Sequence, residues 1–550
     1  MADGEGVRIL GPNGQPMARP KPKGLAGNNS RIPYDAANFY GDHMGDWQPY
    51  LWSPDGELNP YRDTIVSRVR DVVRNDGWGS GAITRILDNA IGANYRPLLK
   101  PDWKALQAYT GNPGFNLEWA YAYRTAGEAV YRTWSKDPGR YCDTQRAMLV
   151  PQMMRLGFRH KIVDGDALGI LQWLPGRMGF GRARYATALQ MIDPDRLSNP
   201  QMRYDSHTLR GGVEVDDWGA ALAYHIRRAH QGDWWSAGDS VKWDRVLRET
   251  PDGRPIVVHD FDHDRAGQHR GGAGVLTPVL QRLKMLIRYD GAELDAAIVN
   301  AIFAAFIESP FDKDLVDEAL SDEDGRLSAY QNLRQDFHEG KRLKLPSGPN
   351  MTMLAPGETI GQVAATRPSG NFADFEKAVL RNVASAAGLS AQQVSNDWSD
   401  VNYSSARGAM LEFWKTMARR RDDYAAGFPQ PILGALLEEA MEYGELPLPP
   451  GAPEYAECRA AYGHAVWVGP GRGWIDPVNE VKGAVLGMDA AVTSFDRVCI
   501  EQGEDPDEMV EARVHDIKRF TDAGIPVPTW AGLNPNGEPA QKTIDDPKAV

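Results

Sequence analysis

Apolar residues recur at helical spacing over the first third of the chain. Between Leu58 and Gly92 they fall three or four positions apart, which predicts two helices separated by a break at 75–81. The same spacing predicts further helices over about 117–134 and about 143–158. The chain is therefore expected to begin with a helical region.

Shorter apolar runs, with turn residues between them, occupy the middle of the chain. These runs are DGDALGILQWL, ALQMIDPDRL, GGVEVDDWGAALAYHIRR and RPIVVHDFD. Short runs bounded by Gly, Pro and Asp are typical of strands. We therefore predict a small antiparallel sheet in the middle and a fold that is α+β and mainly helical.

Two later segments predict a pair of helices joined through a polar stretch. Residues 276–307 carry an apolar stripe and, at about 1.5 Å per residue, would span roughly 50 Å. Residues 372–387 form an amphipathic pattern that Gly388 can end. A polar loop follows, and the helical pattern then resumes with Ser404 or Ser405 as the expected N-cap.

Composition limits the class of protein. A chain of 550 residues exceeds what one hydrophobic core usually serves, so we expect two to four packed units. A net charge of -13 argues against a simple basic nucleic-acid binder, because such binding relies on Lys and Arg. A conduit that lets DNA slide would gain from this acidity. The acidity is equally well explained by solubility alone.

The three cysteines, Cys142, Cys458 and Cys499, lie far apart and are odd in number. They therefore predict a reducing compartment, with neither a disulfide framework nor a zinc site. The N-terminal residues lack an apolar segment of signal length, and the apolar stretch at 296–307 is too short to span a bilayer. The expected product is soluble and cytoplasmic.

One segment, HDFDHDRAGQHRGG at 259–272, could in principle hold a metal ion. Its potential ligands are His259, Asp260, Asp262, His263, Asp264 and His269. Their spacing matches none of the patterns that place two ligands on one face of a helix or in a knuckle. A structural turn is therefore favoured over a metal-dependent phosphodiesterase, and no catalytic residue is predicted.

Several separated blocks of this sequence resemble the lambda family of bacteriophage portal proteins. The blocks are RVRDVVRNDGWGSGAI, IDPDRL, GGVEVDDWG, VVHDFDHDRAGQHRGG, PGETI and DWSDVNYSSARGAMLEFW. Together they extend the resemblance over roughly 33–522. The resemblance implies a portal fold with a wing, a two-helix stem, a clip and a helical crown, assembled as a ring that is usually a dodecamer.

The family's order of parts implies boundaries along this chain. The parts are a flexible N-terminal arm at 1–32, a wing at 33–273, a first stem helix at 274–308, a clip at 309–371, a second stem helix at 372–387, a channel loop at 388–404, a long wing helix with the following helix at 405–443, a crown at 444–523 and a disordered tail at 524–550. The termini and the clip depart most from the family pattern.

The resemblance also implies roles for side chains. The residues expected to face DNA from the channel loop are Asn396, Asp397, Ser399, Asp400 and Asn402. Those expected to orient the first stem helix or contact an adjacent subunit are His259, Arg265, Gln268 and Arg270. The expected partner surface of the clip includes Lys341, Arg342 and Lys344. Charge patterning, apart from the resemblance, marks four basic residues on the helix after the loop: Lys415, Arg419, Arg420 and Arg421. They are expected to pair with acids of neighbouring chains or to lie on a solvated face, in preference to contacting phosphates.

The function that the resemblance implies is a ring at the unique capsid vertex, through which double-stranded DNA is packaged and ejected. The implied partners are further copies of the chain, the large terminase subunit, head-completion or adaptor proteins, and the major capsid and scaffolding proteins. No cofactor and no membrane are expected, and the location would be the virion, with assembly in the host cytoplasm. A baseplate or tail adaptor is the alternative, and it would need no loop facing an axial pore.

Overall fold

The computed structural model describes residues 36, 46–272, 274–306, 342–343, 351–352, 372–399, 401–473 and 476–525. Two units are distinguished, Met1–Ser53 and Pro54–Val550. In the first, the rings of Tyr50 and Trp52 stack with centroids 5.8 Å apart. The predicted arm at 1–32 lies outside the described residues. All elements below belong to the second unit.

Six helices precede the sheets in the described part of this unit. They are α1 (Pro54–Leu58), α2 (Arg62–Asn75), α3 (Gly77–Ala90), α4 (Trp103–Thr110), α5 (Leu117–Ser135) and α6 (Val150–Asp164). The predicted break at 75–81 is wrong, because only Asp76 separates α2 from α3. The Asp76 carboxylate accepts a hydrogen bond of 2.7 Å from the Gly79 N–H and caps α3.

The helix predicted from residue 143 begins later than expected, at Val150. The Asp143 carboxylate accepts hydrogen bonds from the backbone N–H groups of Gln145, Ala147 and Met148. These bonds hold 143–148 in a turn that competes with helix formation. The sequence pattern alone did not distinguish this turn from the first two turns of a helix.

The middle of the chain forms two antiparallel sheets rather than the one predicted, and four other strands form two separate pairs, one of which is a ribbon that joins distant parts of the chain. The strands are β1 (Arg96–Leu99), β2 (Asp166–Trp173), β3 (Thr187–Ile192), β4 (Leu209–Arg210), β5 (Val213–Val215), β6 (Ala221–Arg227), β7 (Trp243–Leu247), β8 (Val257–Phe261), β9 (Arg342–Leu343), β10 (Met351–Thr352) and β11 (Ala465–Val468). One sheet has the order β3-β2-β8 and the other the order β4-β5-β6-β7. The ribbon pairs β1 with β11.

The helices and the three-stranded sheet share one large hydrophobic core, and a smaller core involves both sheets. The smaller core contains Leu168, Ile170, Ile192, Leu197, Val213, Val215, Tyr224, Ile226 and Val257. The large core includes the fully buried rings of Phe158, Tyr424 and Phe428. The predicted class, α+β and mainly helical, is confirmed.

The next five helices follow the sheets. They are α7 (Leu280–Phe306), α8 (Phe372–Ala387), α9 (Ala391–Ser395), α10 (Tyr403–Gly427) and α11 (Pro429–Glu442). A short 3-10 turn, Thr277–Val279, leads into α7, whose 27 residues would span about 40 Å. Helix α8 has the predicted bounds. Aromatic contacts join α8 to α7: the ring centroid of Tyr289 lies 5.5 Å from that of Phe372 and 5.2 Å from that of Phe375.

The first residues of the C-terminal part pack into the large core, and the helices that follow them are more exposed. Its helices are α12 (Arg459–Tyr462), α13 (Pro477–Asp489), α14 (Phe495–Glu501) and α15 (Pro506–Asp522). Tyr455, Tyr462 and Trp467 belong to the large core, whereas α13 contains no buried residue. Asp476 is the N-cap of α13 and Pro477 is its first residue, with the Asp476 side chain accepting from the Asn479 N–H. The packing therefore changes near residue 470 rather than at the predicted crown boundary of 444.

Candidate functional site

The helix–loop–helix at α8–α10 is built by local signals in its sequence. Helix α8 buries Val379, Leu380 and Val383 on one face. It ends at Gly388, where φ is +70°, and the Leu389 N–H donates 2.8 Å to the Ala384 carbonyl. This is the hydrogen-bonding pattern of a helix C-terminus closed by a left-handed glycine.

The predicted polar loop at 388–404 is wrong as one continuous loop, because α9 lies within it. Ser390 and Gln393 cap α9 reciprocally, each side chain accepting from the other residue's backbone N–H. Val394 of α9 is buried, with 7% of its surface exposed. Asn396 then ends α9 with a φ of 59°. The segment at 397–401 is therefore the part between α9 and the cap of α10, and we call it the tip.

Two of the five predicted DNA-facing residues fix the ends of the tip. The Asn396 side-chain oxygen accepts 2.9 Å from the Arg85 guanidinium of α3. The Asn402 side-chain oxygen accepts 2.9 Å from the Ser405 N–H, so Asn402, and neither predicted serine, is the N-cap of α10. Their amides are thus engaged within the chain.

The other predicted loop residues belong to the tip. The Asp397 carboxylate accepts from the Ser399 hydroxyl at 2.6 Å and from the Ser399 N–H at 3.1 Å, which lowers the Asp397 pKa below its ordinary value. Asp397 is therefore ionised near neutral pH and lies at the protein surface. Asp400 lies outside the described residues.

The basic residues predicted on α10 bind mostly within their own chain. Arg420 donates 2.9 Å to the Ala387 carbonyl at the end of α8. Arg421 donates to the carbonyls of Asn89 and Ala90 at the end of α3. The two adjacent arginines thus satisfy carbonyls at two helix C-termini, where cations are favourable. The exposed side chains of Lys415 and Arg419 pair with acids of α10 itself, Glu412 and Asp423.

A buried cluster of charges lies before the long helix α7. Its centre is Asp166, which is 0% exposed. The Asp166 carboxylate accepts 2.7 Å from Arg62, 2.9 Å from Arg270 and 2.5 Å from the Gly271 N–H, and the His259 Nε2 lies 3.1 Å away. We call Asp166, Arg62, Arg270 and His259 the ionic cluster.

Electrostatics explain the charge states in the ionic cluster. Burial alone would raise the pKa of Asp166, but the charges of Arg270 and Arg62 lower it well below its ordinary value. Burial lowers the pKa of His259, which favours its neutral form. The Arg270 guanidinium also donates to the carbonyls of Leu197, Gly211 and Pro194. Asp166 is therefore ionised and Arg270 holds several backbone segments together.

Glycines allow the backbone to cross itself beside the ionic cluster. Gly165 ends α6 with a φ of +92°, and a Cβ added there would overlap the Gly272 carbonyl oxygen. A Cβ at Gly271 would overlap the Gly165 carbonyl oxygen, and one at Gly274 would overlap the Val163 carbonyl oxygen. The glycines of QHRGGAG therefore place the segment leading to α7 directly against the end of α6.

The structure limits which motif residues can contact an adjacent subunit. His259, Gln268 and Arg270 have buried side chains that bond within their own chain, which favours the helix-orienting alternative over the subunit contact for these three. Arg265 is exposed and pairs with Glu57 at 2.7 Å, so a subunit contact stays a prediction for it. Their predicted role in orienting the helix that follows also stays a prediction.

The six potential metal ligands at 259–272 do not converge. His259 and His269 bind different carboxylates, Asp166 and Asp55. Asp260 and Asp262 both pair with Lys161, and burial, partly opposed by Lys161, raises the pKa of Asp260 to about 6. The phosphodiesterase alternative therefore lacks the ligand geometry that it requires.

Elsewhere in the described ranges, His160, Asp164 and Asp193 come together closely enough to hold a metal ion, as do Asp193, Asp195 and His230. The Arg70 guanidinium, however, donates to all three carboxylates, at 2.8 Å to Asp164, 2.6 Å to Asp193 and 3.3 Å to Asp195. The protein thus supplies its own cation to both groups.

The structure describes only one of the three residues of the predicted clip surface. Lys341 and Lys344 lie outside them. Arg342 lies in β9, which pairs with β10 in antiparallel register. The role of all three stays a prediction.

Sequence reasoning missed Asp166, Arg62 and Arg85. A signal existed for Asp166, since a single carboxylate opening the apolar run ALGIL indicates a buried partner of opposite charge. Arg62 and Arg85 occupy ordinary positions in helical patterns, and nothing in the sequence singles them out. Their partners lie 104 and 311 residues away.

No helix in the described ranges has the length and apolar composition needed to cross a bilayer.

A family model and individual relatives both match this chain to phage portal proteins. A family model described as phage portal protein, lambda family, matches residues 40–421. Portal protein B of Escherichia phage lambda is 29% identical over 529 residues, covering 95% of this chain and 94% of its own. The portal protein of Escherichia phage N15 is 28% identical over 498 residues, covering 90% and 91%.

Solved structures give a more distant likeness. A chain from the neck of an empty GTA particle, computed with C6 symmetry, covers 80% of this chain and 94% of its own length. Its sequence identity is 12% and the TM-score is 0.35.

Proposed function

This chain belongs to the lambda family of phage portal proteins, and we propose that identical copies of it form a ring, with twelve copies expected, at the unique vertex of a capsid. The observation that carries the proposal is the family match over 40–421, which includes α8, the loop and most of α10. In this proposal the ring is a conduit for double-stranded DNA during packaging and ejection.

Uncovered apolar surface on α7 supports assembly. Ile287, Leu294 and Ile298 lie along one side of α7 and are exposed by 37%, 62% and 44%. They continue the stripe whose Leu283 is buried within the chain. Apolar patches of this kind are typical of surfaces that another protein covers. A neighbouring copy is the occupant that a closed ring would supply repeatedly.

The parts of the proposed portal keep the family's order, with one shift. We propose that α7 and α8 form the stem, that the clip lies between them, and that α10 belongs to the wing. Helices α13–α15 would form the crown. Because 444–473 packs into the large core through Tyr455, Tyr462 and Trp467, the crown would begin near residue 476.

The tip suits a surface that DNA slides past. Its described polar side chains, Asp397 and Ser399, satisfy each other, and Asp397 is ionised. A negative group repels phosphates, and small polar groups make only weak contacts to DNA, often through water. The tip would therefore guide DNA without holding it. The proposed partners are the large terminase subunit, head-completion or adaptor proteins, and the major capsid and scaffolding proteins.

Two variants of the tip test the proposal. In one, residues 397–401 are deleted and closed with two glycines. In the other, the same residues become Gly-Ser-Gly-Ser-Gly, which keeps the length. Both should form rings by electron microscopy, because neither change reaches Val394 or Asn402.

Packaged DNA is then measured after infection of cells that supply each variant. The deletion should lower packaging or retention of DNA strongly, and the length-matched variant should lower it less. Normal packaging by the deletion variant, or loss of rings with normal packaging in the remaining particles, would refute the role proposed for the tip.

A further inference from the structure

Helix α9 gives the channel loop a docked position on the body of the protein. It packs on α3, and Val394 reaches the large core. At its distal end, the Arg85 guanidinium donates 2.9 Å to the Asn396 side-chain oxygen. Arg85 is an exposed residue of α3. This bond joins the residue directly before the tip to α3.

Beyond Asn396, the hydrogen bonds made by the described tip residues run to positions two or three residues away. The Asp397 N–H donates to the Ser395 hydroxyl, and Ser399 donates to Asp397. The Val401 N–H donates to the Trp398 carbonyl. Asn396 is thus the residue at which α9 ends, the tip begins and Arg85 of α3 is bound.

We propose that Arg85 is a positioning residue for the channel loop, acting through Asn396. With the bond made, α9 stays on α3 and only the tip projects. With the bond lost, the loop leaves α3 from a point nearer Ser390, so its tip reaches further and its path varies. This inference rests on the proposed function for its meaning in DNA passage, although the bond itself can be tested in the isolated protein.

The test is hydrogen exchange on the full-length protein. The variants are Arg85→Ala, Asn396→Gly and the double variant, with Arg74→Ala, an exposed arginine of α2, as the control. Glycine is chosen because it keeps the left-handed backbone at 396 while removing the acceptor. Arg85→Lys, which keeps the charge but loses the planar fork, should give an intermediate result.

Each single variant should exchange the amides of α9 about tenfold faster, which corresponds to about 1.4 kcal/mol. The double variant should be no faster than either single one, because both remove the same bond. Exchange in α3 and in the control should match the wild type. Unchanged exchange in Arg85→Ala, or full additivity in the double variant, would overturn the proposal.

DNA packaging by the Arg85→Ala variant separates this proposal from the proposed function. If exchange rises but neither this variant nor the tip deletion alters packaging, the positioning role stands and the portal role of the loop fails. If exchange is unchanged while the tip deletion stops packaging, the portal role stands and the positioning role fails.

Discussion

The ionic cluster and the channel loop hold the chain in opposite ways. Around Asp166, two guanidinium groups, an imidazole and a backbone N–H converge on one fully buried carboxylate. At the loop, single hydrogen bonds at Asn396 and Asn402 fix the two ends of an exposed tip. A buried network cannot lose one member cheaply, because the remaining charges stay buried and unpaired. An exposed bond can open and let water replace the partner.

This difference indicates which region is fixed and which can move. The ionic cluster and the crossing glycines hold the segment that leads to α7 against α6. The loop instead joins α8 to α10 through contacts that are individually weak. In the proposed portal, the first region would keep the stem in place while the second accommodates DNA.

Removing Arg270 should have the largest effect. Arg270→Ala removes one of the two guanidinium groups that pair with buried Asp166 and leaves the carbonyls of Leu197, Gly211 and Pro194 without this donor, so we expect a loss of about 3–5 kcal/mol in the free energy of unfolding. Arg265→Ala, which breaks an exposed pair with Glu57, should cost about 0–1 kcal/mol. Thermal and urea unfolding measure both. Similar losses for the two variants would contradict the distinction between buried and exposed regions.

Removing Arg420 should have an intermediate effect. Arg420→Ala leaves the Ala387 carbonyl at the end of α8 without its cationic donor and should cost about 1.5–3 kcal/mol. The matched control is Arg419→Ala, which breaks an exposed pair within α10 and should cost about 0.3–0.5 kcal/mol. Unfolding curves, with hydrogen exchange at the end of α8, report the difference. An equal effect of the two variants would show that Arg420 does not support α8.

Changing Asn402 distinguishes a cap from a DNA contact. Asn402→Ala should cost about 1 kcal/mol, whereas Asn402→Ser should cost much less because serine is also a good N-cap. If Asn402 acts only as a cap, Asn402→Ser should also package DNA normally. Packaging that falls in Asn402→Ser without loss of stability would instead support a direct role facing the channel.

The smallest effect concerns pH. A hydrogen bond to Asp55 raises the pKa of His269 in the folded protein above its ordinary value. Its stabilisation is therefore complete below the unfolded pKa of about 6.5 and is lost as pH rises through the folded value. The thermal midpoint of wild type minus that of His269→Gln should thus be larger at about pH 6 than at about pH 8.5. A difference that grows with pH would reverse the assigned shift.

The sequence predicted elements better than their polar contacts. Helix α8 was predicted to the residue, because an apolar stripe and a closing glycine coincide there. The loop was predicted too simply, since Ser390 and Gln393 form a capping signal that the surrounding polar residues obscured. The Arg85–Asn396 and Arg62–Asp166 contacts could not be predicted, because they join residues far apart in sequence whose proximity depends on the whole fold.

The boundaries of the proposed parts also depend on contacts between residues that are far apart in sequence. The family's order of parts implied that a crown begins at residue 444, yet β11 lies beyond that residue and returns to pair with β1. A strand pairing across hundreds of residues leaves no local pattern. Packing, rather than composition, therefore sets where the last helices begin to leave the large core.

Cryo-electron microscopy of the purified full-length protein tests the central claim most directly. A portal assembly would appear as a closed ring with an axial opening wide enough for duplex DNA, with α7 and α8 beside that opening and the tip at 397–401 lining it. Single subunits under all conditions tried, or a ring in which the tip lies on the outer surface, would contradict it.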